Sequence, residues 1–266
     1  MAVLTNPALE MAELVGWLQA LPHTNEPAIN VFGQALGVPS DSPELLEGIA
    51  VVATRLRQVP TFATALCLDH KELDEYHVQQ IQQACDFLGT IFRASSLMGS
   101  WSNIASNARP QDATAFNWMS LVAKRHRGLY RLDDDERSHA IGEVEKTLIE
   151  LNDDGSLSGW DRELLVAGLQ RMRLMLNMFR FFGHEYVRRD LVALKVDLKS
   201  VCAKLKKSDP LTKSISAIIV VVTAIVTILS TVAAPDAAAT AIGHYQQLLD
   251  GKNPYQEQKL LPGPSK

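Results

Sequence analysis

The chain has 266 residues, of which 21% are charged and 47% apolar, so it carries enough apolar side chain for a buried core and is not an intrinsically disordered chain. The net charge of -4 is mild but uneven: residues 1–122 hold 12 acids and 5 bases, and residues 123–207 hold 14 acids and 17 bases. Cys67, Cys85 and Cys202 are widely spaced, which excludes a disulfide framework or a CxxC site and suits a reducing compartment.

From the N-terminus, no basic stretch is followed by an apolar core, so no signal peptide is expected. Pro7–Ala20 has apolar residues at helical spacing and ends before Pro22. Ser42-Pro43-Glu44-Leu45 reads as a capped helix start, and that helix is expected to stop near Gln58, before Pro60. A longer helix is expected from Asp69 to Arg93, with Leu73, Tyr76, Val78, Ile81, Ala84, Cys85, Leu88 and Ile91 on its apolar face. Residues 95–112 read as loop or short helices, and Ala113–Lys124 as helix. Asp133–Leu151 is helical, with acids at its start that complement the helix dipole. A long apolar helix follows from Gly159 to Phe182, and Gly183 marks a break. No run keeps a period of two, so the fold class is all-α.

The next segment carries a heptad seam, Val187, Leu191, Leu194, Leu198, Val201 and Leu205, which reads either as a self-association stalk or as one amphipathic helix of a bundle. It leads to Ser214–Ala234, 21 residues without a charge. As a helix this stretch would span about 31 Å, the thickness of a bilayer core. A buried core helix is the alternative, although a core helix of this length usually keeps a polar face. Lys195, Lys199, Lys204, Lys206, Lys207 and Lys213 precede the segment within 20 residues and only Lys252 follows within 20, which predicts a cytoplasmic N-terminus. The expected layout is a helical cytoplasmic domain over 1–157, a long helix and stalk over 158–209, a single transmembrane helix over 211–234 and a short tail over 235–266. Within the span Ser216, Thr223, Thr227 and Ser230 share a face. They are candidates to line a pore if copies assemble, or else to bond their own backbone and glue helices together.

Candidate binding chemistry is sparse. Glu150–Asp161 resembles an EF-hand loop, with Asn152, Asp154 and Asp161 as calcium candidates, but Glu150 and Asp161 depart from the usual first and last ligands. The same loop is locally similar to the acidic turn of TerB-like tellurite-resistance domains. The alternative is a plain helix–turn–helix connection, in which Gly155 permits the turn, Ser158 caps, and Asp161 and Glu163 complement the new helix. There are two basic clusters: Lys124, Arg125, Arg127 and Arg131 beside Tyr130, and Arg171, Arg173, Arg180, Arg188 and Arg189, interleaved with Phe179, Phe181, Phe182 and Tyr186. Arginine beside aromatic rings suits a nucleotide or single-stranded oligonucleotide, and the alternative is a set of solvated or salt-bridged faces. No catalytic motif is present, the seven histidines are scattered, and neither an enzyme nor a cofactor is expected.

The layout of helical domain, stalk and terminal span resembles the membrane effectors of bacterial anti-phage defence, Hailong-type effector subunits among them. That resemblance implies an inner-membrane ion channel gated by a nucleotide or oligonucleotide ligand, with membrane lipid and further copies of the chain, a tetramer or larger, as partners. It lies in the layout alone, and no family residue is carried over. The rival expectation is a membrane-anchored helical adaptor without a pore.

Overall fold

The computed structural model describes residues 3–70, 73–127, 129–153, 159–204 and 210–230. Among the described residues, the regular elements are helical apart from two three-residue strands, and the last described is one long apolar helix. The chain divides into two compact units. The first is Leu4–Gly128 with Leu174–Val187; the second is Leu129–Arg173 and the chain from Arg188 on, with Met1–Val3.

Strand β1 (Val3–Thr5) runs into α1 (Pro7–Gln19), the first helix of the first unit. Asn6 caps α1 by accepting from the N–H groups of Ala8 and Leu9, and its side-chain amide donates to Ser120 Oγ at 3.1 Å. That single residue both starts α1 and ties it to α7 (Pro110–Arg127), the helix it packs on. The short helix α2 (Ala28–Leu36) has no counterpart in the sequence expectation. It is nine residues long and sits between Pro27 and Gly37, whose φ of 68° closes it with a left-handed cap.

Helix α3 (Pro43–His70) overturns the expected stop near Gln58 and runs straight through Pro60. Proline inside a helix costs about 3 kcal/mol. Against it stand Leu45, Ile49, Val52, Leu56, Val59, Ala63 and Leu66, all buried, at alternating spacings of four and three on both sides of Pro60. Each large aliphatic side chain buried contributes about 1.5–3 kcal/mol, so the continuous stripe outweighs one lost hydrogen bond. Helix α4 (Glu75–Ile91) starts later than the expected Asp69, because Asp74 caps it by accepting the His77 N–H. The short helices α5 (Ala94–Leu97) and α6 (Trp101–Ile104) lead to α7. Trp17, Phe32, Phe92, Trp101 and Phe181 form the centre of this unit, with Phe32 between 5.4 and 6.2 Å from each of the other four rings.

The second unit contains strand β2 (Leu129–Arg131), α8 (Asp134–Asp153) and α11 (Pro210–Ser230), together with most of α9 (Gly159–Asn177) and α10 (Phe179–Lys204). Asp133 and Glu136 cap α8 reciprocally, each side chain accepting the other's backbone N–H at 2.8–2.9 Å. Burial of Glu136 raises its carboxyl above the ordinary range, opposed by the Asp133 N–H. The buried stripe of α8 is Ala140, Val144, Thr147 and Leu151. Leu194 lies against Gly168, where a Cβ would come within 2.6 Å of Leu194 Cδ1, so α9 and α10 approach closely at that glycine.

Candidate functional site: the apolar helix and the break before its stalk

Helix α11 is the one described helix long and apolar enough to cross a membrane, over Thr212–Ser230. Residues 231–234 of the expected span lie outside the described residues. The helix is not uniformly covered. Ile215, Ile218, Val222, Ile225 and Leu229 are buried, at spacings of three and four, and α11 packs against α8 and β2. Continuing the stalk heptad from sequence would instead put Ile219 and Val226 in this stripe; both are half-buried, because the packed stripe is turned by one residue.

The four hydroxyl residues lie away from that stripe. Ser216, Thr227 and Ser230 are exposed and Thr223 is half-buried. Ser216 donates to the Thr212 carbonyl at 2.6 Å and Thr227 to the Thr223 carbonyl at 2.8 Å. Both hydroxyls therefore satisfy themselves within their own helix, as Ser and Thr do in apolar surroundings.

The seam residues Val187, Leu191, Leu194, Leu198 and Val201 are all buried within a single chain, and Leu205 lies outside the described residues. In this conformation the seam is core, and another copy could use it only by exchanging those contacts. The basic candidates divide in the same way. Arg171 Nε donates to Asp190 at 2.5 Å, and Arg173 pairs with Glu145 at 3.7 Å. Arg188 is half-buried and Arg189 exposed, and both have interaction partners. Lys124 belongs to the first unit, whereas Arg171, Arg173, Arg188 and Arg189 belong to the second. The side chains of Arg125, Arg127, Arg131 and Arg180 lie outside the described residues. Phe179, Phe181 and Phe182 are buried, and Phe181 is part of the aromatic centre, so these three rings are not surface platforms for a base. Of the calcium candidates, Asp161 accepts from Lys204 Nζ at 2.7 Å, and the side chains of Asn152 and Asp154 lie outside the described residues. Among the described residues, no three His, Cys, Asp or Glu side chains are grouped to hold a metal ion.

The best-defined polar arrangement in the first unit was not expected. Gly183 interrupts α10 with φ 72° and ψ 165°, a conformation essentially restricted to glycine. Beside it Arg55 donates to the Phe181 carbonyl at 2.9 Å and to Glu10 at 2.5 Å, and Glu10 accepts the His184 N–H at 3.2 Å. One ion pair thus holds the Phe181 carbonyl, two residues before the break, and the first N–H after it. The carboxylate also sits where the positive end of the restarted helix favours it. Burial pulls the Arg55 guanidinium below its ordinary value, and the Glu10 charge opposes that shift. A Cβ at position 183 would fall on the Arg55 guanidinium and push it from its place, while the backbone angle itself favours glycine. The signal for this clamp was in the sequence: Glu10 occupies a core-facing position of α1, where a carboxylate needs a partner.

Comparison with family models, with curated proteins and with solved structures returns no match. The arrangement established here is a helical domain joined to a single candidate membrane-spanning helix.

Proposed function

We propose that the protein is an oligomeric membrane effector in which α11 alters membrane permeability and the helical region before it senses a signal. The observation that carries this reading is α11 itself. It is free of charge from Ser214 to Ser230 and long enough to span, and 39% of its most apolar window is buried. The exposed row of Ser216, Thr227 and Ser230, with half-buried Thr223, supports assembly of copies around a hydroxyl-lined path. A nucleotide or oligonucleotide signal, the bacterial inner membrane and an anti-phage setting rest on the resemblance of layout. The lysines ahead of α11 support a cytoplasmic N-terminus. In liposomes loaded with an ion-sensitive dye, the full chain is expected to dissipate an ion gradient. Replacing Thr223 and Thr227 by Leu is expected to abolish the flux while leaving detergent-solubilised assembly intact; unchanged flux removes the pore.

A second reading, a membrane-anchored adaptor without a pore, is favoured by one feature of the first unit. Tyr76 on α4 and Trp118 and Leu121 on α7 are each about 60% exposed, and these two helices pack together. Such a patch suits a protein partner. Membrane binding as a monomer without flux would select this reading.

A further inference from the structure

Helix α11 has two uses for the same stripe of side chains. In the described conformation Ile215, Ile218, Val222, Ile225 and Leu229 are buried, and the helix packs on α8 and β2. What it shows instead is its least apolar face: among its described side chains, Lys213, Ser216, Ala217, Thr227 and Ser230 are the exposed ones. A helix seated in a bilayer has the opposite requirement, since its aliphatic surface faces lipid or other helices and its hydroxyls face inward. The support under α11 cannot accompany it into hydrocarbon. Helix α8 opens on exposed Asp134 and Asp135 and exposes Glu145 and Lys146 beyond the stripe Ala140, Val144, Thr147 and Leu151. Charged side chains at membrane depth are costly unless paired or hydrated.

We infer that α8 is an intramolecular docking surface for the membrane helix, so that the described conformation is a water-compatible holding state and α11 enters a bilayer only by leaving α8. This rests on the membrane reading of α11 and adds its regulation. Docking and insertion compete for one stripe, so the apparent affinity for membrane is lowered by the fraction of chains in which α11 is docked. Anything that loosens α8 from α11 raises membrane binding without touching the inserting helix. The capping box of Asp133 and Glu136 fixes the start of the docking helix and with it the register of the stripe.

The test is flotation of the full chain with vesicles of phosphatidylcholine containing one part in three phosphatidylglycerol, titrated to the lipid concentration at half-binding. Two variants lie on α8 and leave α11 unchanged. Val144→Asp places a charge in the buried stripe of α8, the helix on which α11 packs, and Leu151→Ala removes side-chain volume from that stripe. Retained helical content by circular dichroism is the check on folding, and Leu151→Ala decides the matter if Val144→Asp does not fold. The half-binding lipid concentration is expected to fall roughly tenfold or more for Val144→Asp and about threefold or more for Leu151→Ala, as tenfold corresponds to about 1.4 kcal/mol of lost docking. Unchanged half-binding in folded variants overturns the inference while leaving the membrane reading standing. If neither the native chain nor the variants float at any lipid concentration, the membrane reading fails and the inference falls with it.

Discussion

The two units are stabilised in different ways. The first is centred on five aromatic rings and closed by polar contacts between residues far apart in sequence: Asn6 with Ser120, and Glu10 with Arg55 and His184. The second relies on aliphatic stripes, and its ion pairs are partly in solvent, such as Arg171–Asp190 and Lys204–Asp161. Removing one partner of a buried pair strands a charge, whereas a solvated pair costs little to lose.

The largest expected effect is at the buried pair. Arg55→Ala should lower stability by about 3–5 kcal/mol, read by tryptophan fluorescence in denaturant, because Trp17 and Trp101 lie in the aromatic centre. A loss below ~1 kcal/mol would mean the pair is solvated and the contrast fails. Next, Gly183→Ala should cost about 1–3 kcal/mol from backbone strain alone, with the clash against Arg55 in addition. A neutral outcome would show that α10 runs on without its break. Asn6→Ala should cost about 1 kcal/mol through loss of the α1 cap. The Lys204→Ala change in the second unit should cost less than about 1 kcal/mol and respond to salt, as its ammonium is more than half exposed. A loss as large as that at Arg55 would erase the distinction between the units.

The smallest effect is a pH slope in α8. Burial raises the Glu136 carboxyl, so between its unfolded and folded pKa values the folded chain binds more protons than the unfolded one. Glu136 should therefore add stability as pH falls into that window and lose the contribution as pH rises through the folded value. Glu136→Gln keeps a side chain that can complete the capping box but removes the titration, so subtracting its stability–pH curve from that of the native chain should isolate the slope.

Local signals in the sequence reached the helices that repeat an apolar stripe. They placed α1 to within a residue, α8 to within two, and the break at Gly183. Pro60 misled because the cost of a proline is local, whereas the stripe from Leu45 to Leu66 that outweighs it is a property of packing. Helix α2 was missed although Ala28, Val31 and Phe32 hold helical spacing between Pro27 and Gly37, because a nine-residue helix repeats that spacing too few times to stand out. The stalk seam showed the same limit. A heptad states that a stripe is buried but not by which partner, and here Val187–Val201 is buried within one chain. The clamp was legible only at one end: Glu10 on the core-facing side of α1 asks for a partner, but Arg55 and His184 are brought to it only by the fold.

The central claim is that α11 is a membrane helix held on α8 in water. Hydrogen exchange of residues 140–151 and 212–230, measured with and without anionic vesicles, tests it most directly. Both segments should be protected in buffer. With saturating vesicles, exchange in 140–151 should accelerate as the stripe of Ala140, Val144 and Leu151 is vacated, while 212–230 stays protected by the bilayer. Unchanged protection of both segments at every vesicle concentration would contradict the claim and make α11 a permanent core helix.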